Sequence, residues 1–144
     1  MPSYIKYRFL EHMTDALLES YGKNLEEAFE NAGLALMDTM IHLENVNGVS
    51  EYFFKVNGSD LENLLYNWLE TILHKFFIEG NVYSSFKINI KVDNKMFKLT
   101  SKASGESLDY MKHKPKVEVK SPTYHLMKIK KRSSGFILRF LLDL

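Results

Sequence analysis

Residues 59–76 read SDLENLLYNWLETILHKF, which is the best-defined helical pattern in the chain. Its large apolar residues recur three and four positions apart over several turns, which is the spacing of one helix face. They are Leu61, Leu64, Leu65, Trp68, Leu69, Ile72, Leu73 and Phe76. Ser59 and Glu62 have the spacing of a capping box, which predicts that the helix begins there. Because so broad an apolar stripe must be buried, this helix is expected to pack on a sheet.

A second amphipathic helix is predicted upstream, from about residue 24 to residue 40. Asn24 can cap it, and Glu27 lies three positions on, again as in a capping box. The apolar residues that follow share one face: Leu25, Ala28, Phe29, Ala32, Leu36 and Met40. Short strands are predicted before it at 4–9 and 16–21, and Gly22, which lacks a Cβ, permits the turn into the helix.

Beyond Gly80 the apolar period changes to two, which is typical of half-buried strands. A hairpin of strands 86–92 and 96–103 is predicted, joined at Asp93-Asn94. Further strands are predicted at 49–56, 117–120, 124–130 and 136–142, and residues 109–116 are expected to form an exposed loop. The sequence therefore predicts one α+β domain over residues 1–144, with two amphipathic helices packed as a second layer on a mostly antiparallel sheet.

Composition narrows the class of protein. The chain has 144 residues, 45% of them hydrophobic, and no cysteine, so one core can form without metal or disulfide support. The absence of cysteine excludes thiolate zinc sites and cysteine nucleophiles and suits a reducing compartment. Residues 1–12 lack the apolar core of a signal peptide, and no apolar run reaches the ~18 residues of a membrane span. A cytoplasmic protein without a membrane partner is expected.

Charge is distributed unevenly along the chain. There are 4 basic and 12 acidic residues before Ile72, then 15 basic and 6 acidic residues from Ile72 onward, for a net charge of +1. Lysines that alternate along half-buried strands can simply form the solvated face of a sheet, without any binding function. An RNA-binding module that uses the basic second half of the chain is the alternative function. Its candidate phosphate contacts are Lys112, Lys114, Lys116, Lys128, Lys130, Lys131 and Arg132.

Two clusters of oxygen-bearing residues are candidate sites, since the common nucleotide-binding, serine hydrolase and zincin motifs are absent. The first lies between the first two strands and contains Glu11, His12, Thr14 and Asp15. Carboxylates without thiolates suit hard cations, although the same residues can form a capped turn. The second is Asp143 with the α-carboxylate of Leu144, directly after an apolar strand, although these residues can also form an ordinary frayed end.

Eight segments resemble one family when their order and spacing are considered together. They are residues 9–15 (FLEHMTD), 21–32 (YGKNLEEAFENA), 58–65 (GSDLENLL), 105–106 (GE), His113, 118–120 (EVK), 123–125 (TYH) and 143–144 (DL). The sequence resembles the archeases across essentially its whole length. This resemblance implies a protein cofactor of the GTP-dependent RNA ligase of tRNA splicing. Such a cofactor is not itself a ligase; it helps the ligase acquire GMP on its active-site histidine and complete many turnovers. The tRNA would be an indirect partner.

The resemblance also implies a divalent cation between the second acid of the first loop and the acidic end of the chain. It assigns Asp15, Asp143 and a main-chain or terminal oxygen of Leu144 as ligands. Calcium is the first expectation, and magnesium and manganese stay open. The resemblance therefore joins the first-loop cluster and the C-terminal cluster into one site.

Other residues are weaker candidates. The family loop resembles Asp-His-Thr-Ala-Asp, whereas this chain has Glu11 and Met13 at two of those positions, so the resemblance does not carry a coordinating role to them. Further candidate functional residues are Glu11, His12, Asp60 and Glu106. A metal-dependent hydrolase is a third hypothesis and would need His12 or Glu106 as its general base.

Overall fold

The computed structural model describes residues 5–10 and 14–144. The candidate residues Glu11 and His12, together with Met13, lie outside these described residues. In chain order the elements are β1 (Tyr7–Leu10), β2 (Ala16–Gly22), α1 (Leu25–Met40), β3 (Ser50–Gly58), α2 (Leu61–His74), β4 (Asn81–Asp93), β5 (Met96–Ser107), α3 (Tyr110–His113), β6 (Ser121–Arg132) and β7 (Gly135–Asp143). A 3₁₀ turn at Leu43–Asn45 follows α1, and a π-helical turn at Lys75–Glu79 extends α2.

The strands form two antiparallel sheets. One has the order β1-β2-β7-β6, and the other has the order β3-β5-β4. The α+β class is confirmed, but the sheet that the sequence predicts as one is divided in two. The division places β7, the last strand in the chain, in the interior of the four-stranded sheet between β2 and β6.

The core forms where α1 and α2 cover the inner faces of these sheets. The predicted stripe of α2 is buried, with Leu64, Leu65, Trp68, Leu69 and Ile72 all fully hidden from solvent. Burial of each such side chain contributes about 1.5 to 3 kcal/mol, which drives the docking of the helix. Among the described residues, no helix is both long enough and apolar enough to cross a membrane.

The first predicted helix cap is confirmed and the second is wrong. The Asn24 side chain accepts a hydrogen bond from the Glu27 amide at 2.8 Å, as predicted for α1. At α2 the cap is Asp60 and not Ser59, because the Asp60 carboxylate accepts from the Asn63 amide at 2.7 Å. The Asn63 side chain in turn accepts from the Ser59 amide at 3.0 Å. The box is thus shifted by one residue, since aspartate caps a helix as well as serine does.

Two glycines permit close approach of a strand end to the helix that follows. A Cβ on Gly22 would collide with the backbone of Ala28, and a Cβ on Gly58 would collide with the backbone of Leu64. Gly22 does not have a positive φ angle. The missing Cβ therefore permits the tight connection from β2 into α1 by allowing close packing, and not by a left-handed backbone conformation.

Two local predictions in the second half of the chain are wrong. Residues 117–120 form no strand, although Val119 is fully buried. Residues 109–116 are not simply an exposed loop, because they contain α3 and the fully buried His113. Both segments are held by contacts with distant residues: the Lys116 amide donates to the carbonyl oxygen of Met40, and the Lys120 amide to that of Asp143. The pattern of neighbouring residues in the sequence cannot predict such contacts, because their partners are distant along the chain.

Candidate functional site

The two acidic residues predicted as cation ligands lie at the same end of the β2–β7 ladder. Ala16 pairs with Leu142 at that end. Asp15 comes immediately before β2, and Asp143 is the last residue of β7. Asp143 is exposed and Asp15 is half-buried. Strand pairing therefore places two acidic residues that are far apart along the chain at the same end of one sheet.

The backbone at Asp143 is held from both sides. On the side opposite β2, Asp143 pairs with Ser121 of β6, and the Lys120 amide donates to the Asp143 carbonyl oxygen at 2.8 Å. Leu144 is half-buried and packs against the core. Asp143 thus has a fixed main chain, which is the opposite of a frayed end.

The chemistry of this donor set fits a hard divalent cation. Neighbouring carboxylates repel each other, and a cation that binds both removes the repulsion. Asp15 and Asp143 offer carboxylate oxygens and Leu144 a main-chain oxygen, the ligand type that Ca²⁺, Mg²⁺ and Mn²⁺ prefer. Within residues 5–10 and 14–144, no three His, Asp or Glu residues are grouped closely enough to hold a metal ion by themselves. The described residues therefore supply two carboxylates, and water would complete the coordination.

Asp60 has a structural task in the fold. Its carboxylate caps α2 through the bond to the Asn63 amide, and the residue is exposed. Capping of this kind stabilises a helix by about 1 kcal/mol. A functional role for Asp60 stays a prediction.

Glu106 lies at the centre of a hydrogen-bonded cluster. Its carboxylate accepts from the Asn47 amide at 2.9 Å, from Lys112 Nζ at 2.9 Å and from His113 Nε2 at 2.7 Å. His113 Nδ1 accepts from the Asp109 amide at 2.9 Å, so the proton of the neutral ring lies on Nε2 and is donated to Glu106. The Asn47 amide, then Lys112 and His113, lower the pKa of the Glu106 carboxyl to about 2. So weak a base does not suit the general-base role in the hydrolase hypothesis.

We expect acid to destabilise the protein through Glu106. The folded-state pKa lies below the ordinary value of 4.5, so the carboxylate stabilises the fold above that pH and loses this contribution as the pH falls toward about 2. Glu106→Gln keeps the shape but does not titrate, and should flatten the acid limb of the stability curve. Urea unfolding at several pH values between about 5 and 2 measures this. Glu118→Gln, at an exposed glutamate, is the control, and parallel acid limbs for Glu106→Gln and the unaltered chain would contradict the prediction.

The buried carboxylate of Glu19 forms the centre of another cluster, which is not among the sequence predictions. Glu19 is 6% exposed and lies in the middle of β2. Arg139 donates to one carboxylate oxygen at 2.7 and 3.1 Å, and Arg8 to the other at 3.1 and 3.2 Å. The Tyr21 hydroxyl also donates to Glu19, at 2.8 Å. Burial raises the pKa of the Glu19 carboxyl, but the bonds from Arg139, Tyr21 and Arg8 outweigh it and hold that pKa below its usual range.

A sequence feature does mark this cluster. Glu19 is the single charged residue of β2, and Arg139 is the single charge within the otherwise apolar run 136–142 of β7. Opposite charges near the centres of two largely buried strands indicate that the strands are neighbours with those residues opposite each other, and Glu19 does pair with Arg139 in the ladder. From the sequence alone the strand order is unknown, so the two charges do not by themselves predict that β2 and β7 pair.

The structure divides the basic residues predicted to contact RNA. Lys112 forms an ion pair with Glu106 at 2.8 Å, and Lys116 forms one with Asp38 at 3.0 Å. Lys128, Lys130 and Arg132 instead line a cleft beside the Glu19 cluster, on the outer face of the four-stranded sheet. The basic half of the chain is thus not one surface.

Comparison with known proteins finds one family that matches nearly the whole chain. Residues 7–144 match the model of the archease protein family. The chain is 41% identical over 139 residues to protein archease of Sulfurisphaera tokodaii, a match that covers 96% of this chain and 99% of the relative. It is 44% identical over 130 residues to protein archease of Pyrococcus abyssi, covering 90% and 92% respectively.

A solved structure has a similar fold. The solution structure of protein 1598 of Methanobacterium thermoautotrophicum superposes with a TM-score of 0.78 at 32% sequence identity. The match covers 96% of this chain and 99% of that one. The arrangement of strands and helices described above is therefore shared with a protein whose structure was determined by experiment.

Proposed function

The chain belongs to the archease family, and from that premise we propose that it activates a GTP-dependent RNA ligase of tRNA splicing. Family membership supports a cofactor role toward a tRNA-splicing ligase in general. The finer proposal is that this chain promotes guanylylation of the ligase in the cytoplasm and so allows many turnovers, without catalysing ligation itself.

The observation that carries the proposal is that Asp15 and Asp143 each lie next to the Ala16–Leu142 pair, at one end of the β2–β7 ladder. These two residues match the acidic positions of the family pattern, and they stand at the edge of the molecule where a partner protein can reach them. Asp143 in particular is exposed while its backbone is fixed by β2 and β6. A rigid exposed acid can be presented to a partner with little ordering cost.

The carboxylates would act by holding a divalent cation at the contact with the ligase. Asp15 and Asp143 would be the side-chain ligands, with a main-chain oxygen of Leu144 beside them. The cation would supply positive charge close to the phosphate groups that the ligase handles. The protein's own part is to hold the carboxylates at a fixed separation, so that the ligase conformation that accepts GMP is better populated.

We expect Asp15→Asn with Asp143→Asn to abolish stimulation of the ligase. The assay is a reconstituted one with limiting ligase, GTP and cleaved tRNA, in which guanylylated ligase and joined product are measured separately. The unaltered chain should give many products for each ligase molecule. The double variant should give at least about tenfold fewer products for each ligase molecule, because removing both charges removes the cation and any contact that depends on it.

Asp93→Asn is the matched control, because Asp93 is an exposed aspartate at the β4–β5 hairpin. It should stimulate the ligase as well as the unaltered chain does. Titration of Ca²⁺, Mg²⁺ and Mn²⁺ by calorimetry should show binding to the chain and to Asp93→Asn but not to the double variant. Full stimulation by the double variant would overturn the acidic site, and no stimulation by the unaltered chain would overturn the proposed function itself.

A further inference from the structure

A cleft of about 270 Å³ lies on the outer face of the four-stranded sheet and collects basic side chains from three strands. Arg8 comes from β1, Arg139 from β7, and Lys128, Lys130 and Arg132 from β6. In the register, Arg8 pairs with Glu19, Glu19 with Arg139, and Arg139 with Lys128. These four residues form one row across all four strands. We call the five basic residues the outer-sheet cluster.

The outer-sheet cluster carries more positive charge than its one acid neutralises. Among the described residues that line the cleft, Glu19 is the single acid, against five cations. The Glu19 carboxylate also orients the guanidinium groups of Arg8 and Arg139 by paired hydrogen bonds. Within the described part of the chain, Lys128, Lys130 and Arg132 form no ion pair and are exposed. The cleft is therefore both preorganised and cationic, a combination that attracts an anion.

The cations on β6 are evenly spaced along an extended line. Lys128, Lys130 and Arg132 alternate along the strand, so they lie on one face with a repeat of about 6.8 Å. In a polyanion with regularly spaced charges, each successive anionic group can contact one cation of this row. Guanidinium groups, which the cluster contributes from three positions, suit phosphate because they donate two parallel hydrogen bonds.

The lining of the cleft favours a phosphate backbone over an acidic protein. Of the described residues that line it, Ile137 is the one aliphatic residue and Tyr21 the one aromatic residue. Protein partners are normally anchored by apolar or aromatic groups in a dry pocket, which this cleft does not offer. The cleft also continues into a larger groove of about 960 Å³, with which it shares Arg8, Tyr21, Arg132 and Ile137. The lining of that groove includes Glu27 and Glu30 as well as apolar residues, so it offers room for nucleosides beside the cations and not further phosphate contacts.

We propose that the outer-sheet cluster binds the phosphate backbone of single-stranded RNA. The proposal goes beyond the function proposed above and does not depend on it, because binding by this chain alone requires no ligase. It assigns direct RNA contact to Arg8, Arg139, Lys128, Lys130 and Arg132. It leaves out Lys112 and Lys116, which are paired with Glu106 and Asp38.

The test is fluorescence anisotropy with a short labelled oligouridylate and the unaltered chain, over about 50 to 200 mM salt. The variant is Lys128→Gln with Lys130→Gln and Arg132→Gln, which leaves Arg8, Glu19 and Arg139 intact. We expect the variant to bind at least about tenfold more weakly at the lowest salt. The slope of log affinity against log salt should fall in magnitude by about 2, because three phosphate contacts are lost on a single strand.

A matched control removes the same charge from the other sheet. Lys55→Gln with Lys87→Gln and Lys91→Gln changes three exposed lysines on the outer face of the three-stranded sheet. This control should bind RNA within about twofold of the unaltered chain, apart from the general effect of net charge. An equal loss in both triple variants would show that binding follows net charge and would overturn the assigned surface.

Two further measurements complete the test. Amide NMR signals of residues 128–132 and 139 should shift on titration of the unaltered chain with the oligouridylate, while those of residues 87–91 stay in place; this holds even if the triple variant folds poorly. A polyglutamate peptide of equal charge should compete poorly with the RNA. Absence of RNA binding, or competition by polyglutamate as strong as by unlabelled RNA, would overturn the proposal, the latter in favour of an acidic protein partner.

Discussion

Replacing Trp68 with alanine is expected to lower the free energy of unfolding by about 3 to 5 kcal/mol. Trp68 is fully buried and packs edge to face against Phe54 of β3 and Phe86 of β4, with ring centroids 5.3 and 5.1 Å away. Its indole N–H donates to the carbonyl oxygen of Phe29 in α1 at 3.0 Å. The truncation therefore leaves a cavity where both helices meet the three-stranded sheet. Urea unfolding followed by circular dichroism measures the loss.

Trp68→Phe and Glu70→Ala are the controls on the same helix. Trp68→Phe keeps most of the buried volume and loses the bond to Phe29, so it should cost about 1 to 2 kcal/mol. Glu70 is exposed, and its replacement by alanine should change stability by about 0.5 kcal/mol at most. A loss below about 1 kcal/mol for Trp68→Ala would show that the packing of Trp68 between α1 and the three-stranded sheet contributes little to stability.

Glu19→Gln is expected to destabilise the protein by about 2 to 3 kcal/mol. The change removes the negative charge between Arg8 and Arg139 and sets an amide N–H₂ donor against other donors. Arg139 would then face Lys128 across the ladder without a counterion. Because exposed cations repel each other less at higher ionic strength, added salt should recover part of the loss. Unfolding free energies at low and high salt give both quantities.

Glu51→Gln is the matched control for Glu19→Gln. Glu51 is an exposed strand glutamate whose carboxylate lies 3.9 Å from Lys102, a surface pair that contributes at most about 1 kcal/mol. If Glu19→Gln costs no more than this control, the arginine contacts to Glu19 do not stabilise the sheet. Equal salt dependence of the two variants would lead to the same conclusion.

The elements with strong local patterns could be predicted from the sequence. The stripe of α2, the cap of α1 at Asn24 and the β4–β5 hairpin all depend on residues close together in the chain, and all are present. The cap of α2 shows the limit of this approach. Ser59 and Asp60 are neighbours that can both cap a helix, and only the backbone geometry decides between them.

Features that depend on distant contacts could not be predicted. Residues 117–120 have the composition of a strand, but their amide partners lie on other parts of the molecule, such as Asp143 for Lys120. His113 looks like an exposed loop residue and is buried because Glu106 and the Asp109 amide satisfy both ring nitrogens. In each case the deciding partner is identified only once the chain has folded.

The candidate cation site was predictable as two separate clusters, and only the family resemblance joined them. Nothing in the spacing of Asp15 and Asp143 indicates that β2 and β7 are neighbours. The ladder from Ala16–Leu142 to Gly22–Phe136 supplies that information. Binding of a cation there stays a prediction.

The interior place of β7 has a consequence for biosynthesis. While a ribosome is still translating residues 135–143, β2 and β6 have no common neighbour, because β7 separates them in the finished sheet. The nascent chain can pair β3, β4 and β5 early, but the four-stranded sheet must wait for its last strand. Arrival of that strand completes the sheet and brings Asp143 beside Asp15 in the same event, so a nascent chain that has not finished folding cannot present the acidic pair to a partner.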